Sequence, residues 1–243
     1  MRRDSTAIFR SERVKATLFG MLALLAAASP LAAQVGHEPS RSPYEDVEYN
    51  QEFTPLFGYL RTRHDPASVA PQGAPMIGLR YELTLAGPLA LSSDITHAFS
   101  QRDAVDPTKP LATRNLGTRN SAVTAFDLAL AMNLTGQKSW HHIVPQVRAG
   151  VGVVTASAKE DSTGFSFGTP FAFSLGGGLK FVPSGGRLQL RADLTDRIFK
   201  LSYPNSYYRL ASDNTAVLPL TTASSFYTHH TAFTVGVSYR FAR

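Results

Sequence analysis

The sequence contains no cysteine, so disulfides, thiolate ligands and a lipidated N-terminal cysteine are all excluded. Stability has to come from backbone ladders and packing. Charged residues make up 17% of the chain, below the roughly 25% usual for soluble domains. After the N-terminal segment there is no apolar run approaching the roughly 20 residues of a membrane helix. No repeat longer than a two-residue alternation is visible, and no basic cluster on one element marks a nucleic-acid surface. The triplet His-x-Ser, which would put a histidine and a nucleophile on one face of a strand, does not occur.

What is present begins with export. Arg2, Arg3, Arg10, Arg13 and Lys15 precede the apolar run Leu18 to Ala28, and Ser29-Pro-Leu-Ala-Ala33 offers small residues for cleavage before Gln34. That order predicts a secretory signal peptide over residues 1–33. Pro30 stops the run short of a spanning helix. Five cations leave with the signal against Asp4 and Glu12, which removes three of the six net positive charges. Residues 34–51 contain Pro39, Pro43 and several charges without apolar period, and read as a flexible periplasmic leader before a barrel domain over 52–243.

The rest of the chain alternates. In the stretch Thr231 to Phe241, residues Phe233, Val235, Val237, Tyr239 and Phe241 form one face against Thr234, Gly236, Ser238 and Arg240. The same pattern recurs in Met76–Leu85, Leu89–Phe99, a stretch around Phe126–Leu134, His141–Thr155, a stretch around Phe171–Phe181, and a strand from Leu188. A further strand begins near Phe53, and its core Pro55–Leu60 is apolar on both faces, so its orientation stays open. Connections run long, short, long, short, with long loops at about 101–120 and 202–230. Eight strands of this length, with short turns on one side and long loops on the other, predict an all-β, antiparallel, up-and-down transmembrane β-barrel of eight strands. A soluble lipocalin-like barrel is the rival, but the face opposite the large apolar residues is rich in Ala and Gly and suits a filled lumen better than a wet exterior.

The last strand resembles the closing strand of bacterial outer-membrane β-barrels, whose terminal aromatic residue is read as an insertion signal. Phe241 is the matching position, with Tyr239 two residues before it, although Ala242 and Arg243 follow. The mature chain as a whole is similar to the small OmpA/OmpX-like family. That resemblance implies a monomer in the outer membrane of a Gram-negative envelope. Its partners would be outer-membrane lipid, lipopolysaccharide, periplasmic chaperones and the barrel-assembly machinery.

The candidate functional residues are the charges of the inner face: Arg80, Glu82, Asp94, Asp127, Arg148, Lys180, Arg191, Asp193 and Arg240, with Arg187 and Arg197 beside them. Mixed signs in a narrow lumen predict a structural ion-pair network rather than an ion path, since eight strands leave room only for side chains. No catalytic, cofactor or metal site is expected. His141 and His142 fall at the opposite end of the barrel from His229 and His230, and His97 and Ser100 point to opposite faces. Arg102, Lys109, Arg114 and Arg119 in an outer loop are candidates for meeting anionic lipopolysaccharide. The expected function is that of a non-enzymatic membrane barrel with a filled polar lumen and surface loops for structural or adhesive contacts. A lipid A-modifying enzyme and a narrow channel are the other two possibilities.

Overall fold

The computed structural model describes residues 42–158, 165–184 and 186–241; the signal segment and residues 34–41 of the leader lie outside the described residues. Eleven strands occur among the described residues: β1 (Tyr44–Asp46), β2 (Gln51–Thr62), β3 (Ala74–Ala86), β4 (Leu89–Ala98), β5 (Gln101–Val105), β6 (Asn115–Asn133), β7 (Lys138–Trp140), β8 (Ile143–Ala158), β9 (Phe171–Phe181), β10 (Leu188–Ser202) and β11 (Ser225–Phe241). Eight of them close a barrel in the order β2, β3, β4, β6, β8, β9, β10, β11, with β11 pairing back to β2 and every pairing antiparallel.

Alternation explains which way each strand faces. Outward positions such as Leu79, Leu130, Val151, Phe173, Leu190 and Val235 form a continuous apolar belt, with Leu130 still 55% exposed. Inward positions are small or polar. This is the inverse of a soluble barrel, and only a bilayer makes such an exterior favourable. The ambiguous strand β2 is settled by its register: Phe53 lies opposite Tyr239, Phe57 opposite Val235 and Tyr59 opposite Phe233, so all three join the belt. A slip of one residue would turn Glu52 outward into lipid. The turn between β3 and β4 is tight because Gly87 takes a positive φ of 53°.

The strands run further than the apolar pattern does. β5 pairs with the start of β6 inside what reads as a long loop, and β11 begins at Ser225. Beyond the belt the outward face is polar and the inward face is a buried mixture, Arg102, Ala104 and Val105 on β5 and Thr228 and His230 on β11, so the ladder persists while the regular apolar period that reveals it in sequence disappears. At the other end, part of the leader is a strand. Tyr44–Asp46 pairs with Lys138–Trp140, His141 donates its N–H to the Pro43 carbonyl at 2.9 Å, and the Thr84 N–H donates to the Asn50 carbonyl at 2.8 Å.

The lumen differs from a uniformly polar filling. Its short-turn half is charged, but its long-loop half is an apolar core of Leu60, Met76, Val123, Val154, Phe199 and Leu201, covered by Val69, Phe165, Phe167, Tyr207 and Leu218 from the loops. Asp65 ties this cap together. Its carboxylate accepts the Val69 and Ala70 N–H groups at 3.3 and 3.0 Å and the Tyr203 hydroxyl at 2.7 Å.

Placing a charge on the belt tests the lipid-facing assignment. Leu130→Arg is expected to lower the unfolding free energy by about 2–4 kcal/mol in lipid vesicles, measured by denaturant titration. The same change at Leu220, an exposed loop residue, should be close to neutral.

Candidate functional site in the lumen

Five carboxylates and five cations are buried on the inner face of the short-turn half: Glu52, Glu82, Asp94, Asp127 and Asp193 with Arg80, Arg148, Lys180, Arg191 and Arg197. The strand ladders place many like charges side by side. Glu52 is the register partner of Glu82, Asp94 of Asp127, and Lys180 of Arg191. Such neighbours repel. Compensation comes from one opposite pair on the ladder, Arg80 beside Asp94, and otherwise from across the lumen and along β10.

Arg191 is the hub. Its Nη1 donates to Glu52 at 2.5 Å and reaches Glu82 at 3.5 Å, its Nε and Nη2 clasp Asp193 at 2.9 and 3.1 Å, and Nη2 also meets Gln146 at 3.1 Å. Lys180 bridges Glu52 at 3.0 Å and Glu82. Arg80 grips Asp94 in a fork at 2.7 and 3.0 Å and reaches Asp193 across the barrel at 2.9 Å. Arg148 meets Asp94 at 2.6 Å through Nη2. Nearer the loops, Arg197 donates to Asp127 at 2.7 Å and to Thr96 at 3.2 Å. Small residues make the room, since Gly236 and Gly178 stand opposite Arg191 and Asp193. A Cβ at Gly236 would lie 2.7 Å from the Thr54 methyl.

Not every expected member belongs. Arg187 is exposed and donates to the Tyr239 hydroxyl at 2.9 Å, because it falls in the turn before β10 where the alternation no longer governs its direction. Arg240 is buried, but bonds the Gly186 carbonyl in the short turn and stacks over Tyr49 at 5.1 Å. Glu52, Gln146 and Gln189 are members that the sequence reading omits. Continuing the β2 alternation one residue back from Phe53 would have found Glu52. Of the four loop cations, Arg102 and Arg114 are buried. Arg102 lies 5.4 Å from the Phe165 ring and Arg114 binds Thr215 and Ala216 carbonyls at 3.0 and 2.7 Å, so both hold the loops rather than face solvent.

The histidines separate. His230 points inward and stacks on Phe199 at 4.3 Å, whereas His229 points outward to Asp196 at 2.6 Å. His97 bonds Thr124 at 2.9 Å and Ser100 bonds the Gln72 carbonyl at 2.5 Å, so these two do not meet. His64 lies 3.0 Å from the Ser68 hydroxyl, but the neighbouring Asp65 is turned to Tyr203 and orients no imidazole. Among the described residues no three metal-ligating side chains converge.

The chain is a small eight-stranded transmembrane β-barrel. The closed strand order, the outward apolar belt and the inward ion pairs decide this. The sequence matches no family model and no curated protein. Among solved structures, the barrel is similar to Neisserial surface protein A (10% identity, TM-score 0.47, covering 82% of this chain and 98% of that one). It is also similar to the outer membrane protein OprG from Pseudomonas aeruginosa (13%, 0.49, 80% and 98%) and to the Yersinia pestis outer membrane protein Ail (15%, 0.34, 78% and 99%).

Two outcomes test this geometry. Asp94→Ala takes from Arg148 its carboxylate partner and leaves Arg80 with Asp193 alone, and is expected to destabilise the barrel by about 3–5 kcal/mol in denaturant titration. At the outer end, burial and then the hydrogen bond to Asp65 push the Tyr203 hydroxyl above the usual tyrosine range. The folded protein therefore keeps a proton that the unfolded chain loses. Its contribution to stability is complete below about pH 10 and is lost as the pH rises beyond that. Thermal melts should show this decline in the wild type and a weaker one in Tyr203→Phe.

Proposed function

We propose that the chain is an integral protein of the bacterial outer membrane, exported by its N-terminal segment, that acts without catalysis through its outer loops and rim in structural or adhesive contacts. The carrying observation is a lumen filled along its length, by ion pairs in one half and by an apolar core under the loops in the other. A blocked lumen leaves the lipid-facing belt and the loop surface as the parts that meet other molecules. Neither half resembles a water path, which weighs against a channel.

Closure supports a monomer, because the eight barrel strands have no free edge within the belt to recruit a partner. In the closing strand, Tyr239 and Phe241 lie on the outward face with ring centroids 6.2 Å apart. They form an aromatic end that the barrel-assembly machinery would read after delivery by periplasmic chaperones. Outer-leaflet lipid and lipopolysaccharide are the proposed permanent neighbours, met by the belt and by the exposed cations above it.

The test is purification from isolated outer membranes, a comparison of gel migration with and without boiling, and reconstitution in planar bilayers. The expected result is a heat-dependent shift with no unitary conductance, and unchanged lipid A acyl chains in cells that express the protein. Discrete conductance steps would overturn the closed lumen, and altered acyl chains would overturn the non-enzymatic reading. Phe241→Ala should reduce insertion in cells while leaving the purified barrel able to refold into vesicles.

A further inference from the structure

One outward patch carries cations that no carboxylate answers among the described residues. On β10, β11 and β2 the apolar belt ends in a single ladder row, Leu194 opposite Phe233 and Phe233 opposite Tyr59. The next outward row toward the long loops is Asp196, Thr231 and Arg61. Beyond it, Lys200 stands opposite Tyr227, and Arg63 follows Thr62, the register partner of His230. Arg61, Arg63 and Lys200 are exposed, and none pairs with a carboxylate among the described residues. The nearby carboxylate, Asp196, is already engaged by His229 at 2.6 Å and by the Thr231 hydroxyl at 3.4 Å.

Beside this ridge lies a cavity of about 320 Å³ whose lining includes Thr62, Arg63, His64, Ser68 and Gln72, and also Asp65, whose carboxylate is taken up by the Val69 and Ala70 N–H groups and the Tyr203 hydroxyl. The 3.0 Å contact between His64 and Ser68 braces its wall. Arg63 belongs to both ridge and cavity, so the two are continuous.

We infer that this corner holds the phosphorylated sugar headgroup of an outer-leaflet glycolipid, whose acyl chains lie against Tyr59, Phe233 and Leu194. The inference rests on the outer-membrane reading and gives its lipid contacts a place. Unneutralised guanidinium and ammonium groups select a phosphate, which two arginines bind in forked geometry. Their position selects a lipid. The cations begin one ladder row above a surface that contacts acyl chains, where a headgroup phosphate sits once its chains are in the bilayer. A soluble anion gains nothing from the exposed aromatic rings of Phe57 and Tyr59 below the ridge.

The experiment is native mass spectrometry of the full-length barrel released from phosphatidylcholine vesicles containing either bisphosphorylated lipid A or the same lipid after phosphatase treatment. The phosphorylated form should be retained about tenfold more than the dephosphorylated form. The double variant Arg61→Gln, Arg63→Gln should lose this preference, and Arg119→Gln, an exposed cation on the β6 extension, should keep it. Lys200→Gln, on a different strand, carries the same expectation of a reduced preference if the double variant does not insert. Each sample is scored for heat-modifiable migration. A wild-type protein that fails to insert counts against the outer-membrane reading itself. An inserted barrel that retains both lipids equally, or inserted variants that bind as wild type, overturn the headgroup site alone. Displacement by inorganic phosphate at matched concentration would overturn the lipid as its source.

Discussion

The structure depends on pairing charge across a narrow, dry lumen. A buried guanidinium or carboxylate is tolerated only when its opposite lies within contact, and among these residues the sheet's own ladders arrange that directly for Arg80 and Asp94 but not for most of the others. They set Glu52 beside Glu82, Asp94 beside Asp127 and Lys180 beside Arg191. A flat or open sheet with this sequence would line up like charges. Closing β11 onto β2 brings Arg191 to Glu52 and Arg80 to Asp193, and repulsion becomes attraction. Closure is thus coupled to charge neutrality, which favours all-or-none formation of the barrel. The glycines opposite Arg191 and Asp193 belong to the same constraint, because the lumen must hold long side chains from both walls.

Above the ion pairs the physics changes. The long-loop half is filled by Phe199, Leu201 and Val154 and closed by loop residues, with Asp65 gathering backbone N–H groups and the Tyr203 hydroxyl at its edge. The protein is therefore apolar in two separate places, a belt facing lipid and a cap facing inward, with a charged core below the cap. A molecule sealed in this manner meets others through its outside. That is why the functional reading moves from the lumen to the rim, where Asp196 and His229 face outward among exposed cations.

Much of this could be read directly from residue order. Strand existence, barrel closure and outward faces follow from a two-residue period such as Phe233, Val235, Val237, Tyr239, and most luminal charges follow from its complement. The reading faltered where the period gives no information. Glu52 lies one residue before the point where the apolar pattern of β2 begins, and Arg187 lies in a turn, where alternation does not fix its direction. The β5 hairpin and the first residues of β11 are polar outward and bury a mixed inward face, Arg102 with Val105 and Thr228 with His230, so their ladders leave no regular apolar mark. Arg102 and Arg114 read as loop charge, yet the fold turns them inward onto Phe165 and Thr215.

The sequence by itself determined the compartmental pattern of side chains: apolar toward lipid, small and charged toward the lumen, polar in the loops. That follows because a strand's side-chain period is a local property of the backbone. Only tertiary structure decided which charge answers which, that loops rather than strands cap the lumen, and that cations of β2 and β10 share one outer corner. Those are contacts between residues up to 139 positions apart, and no local rule reaches across that separation.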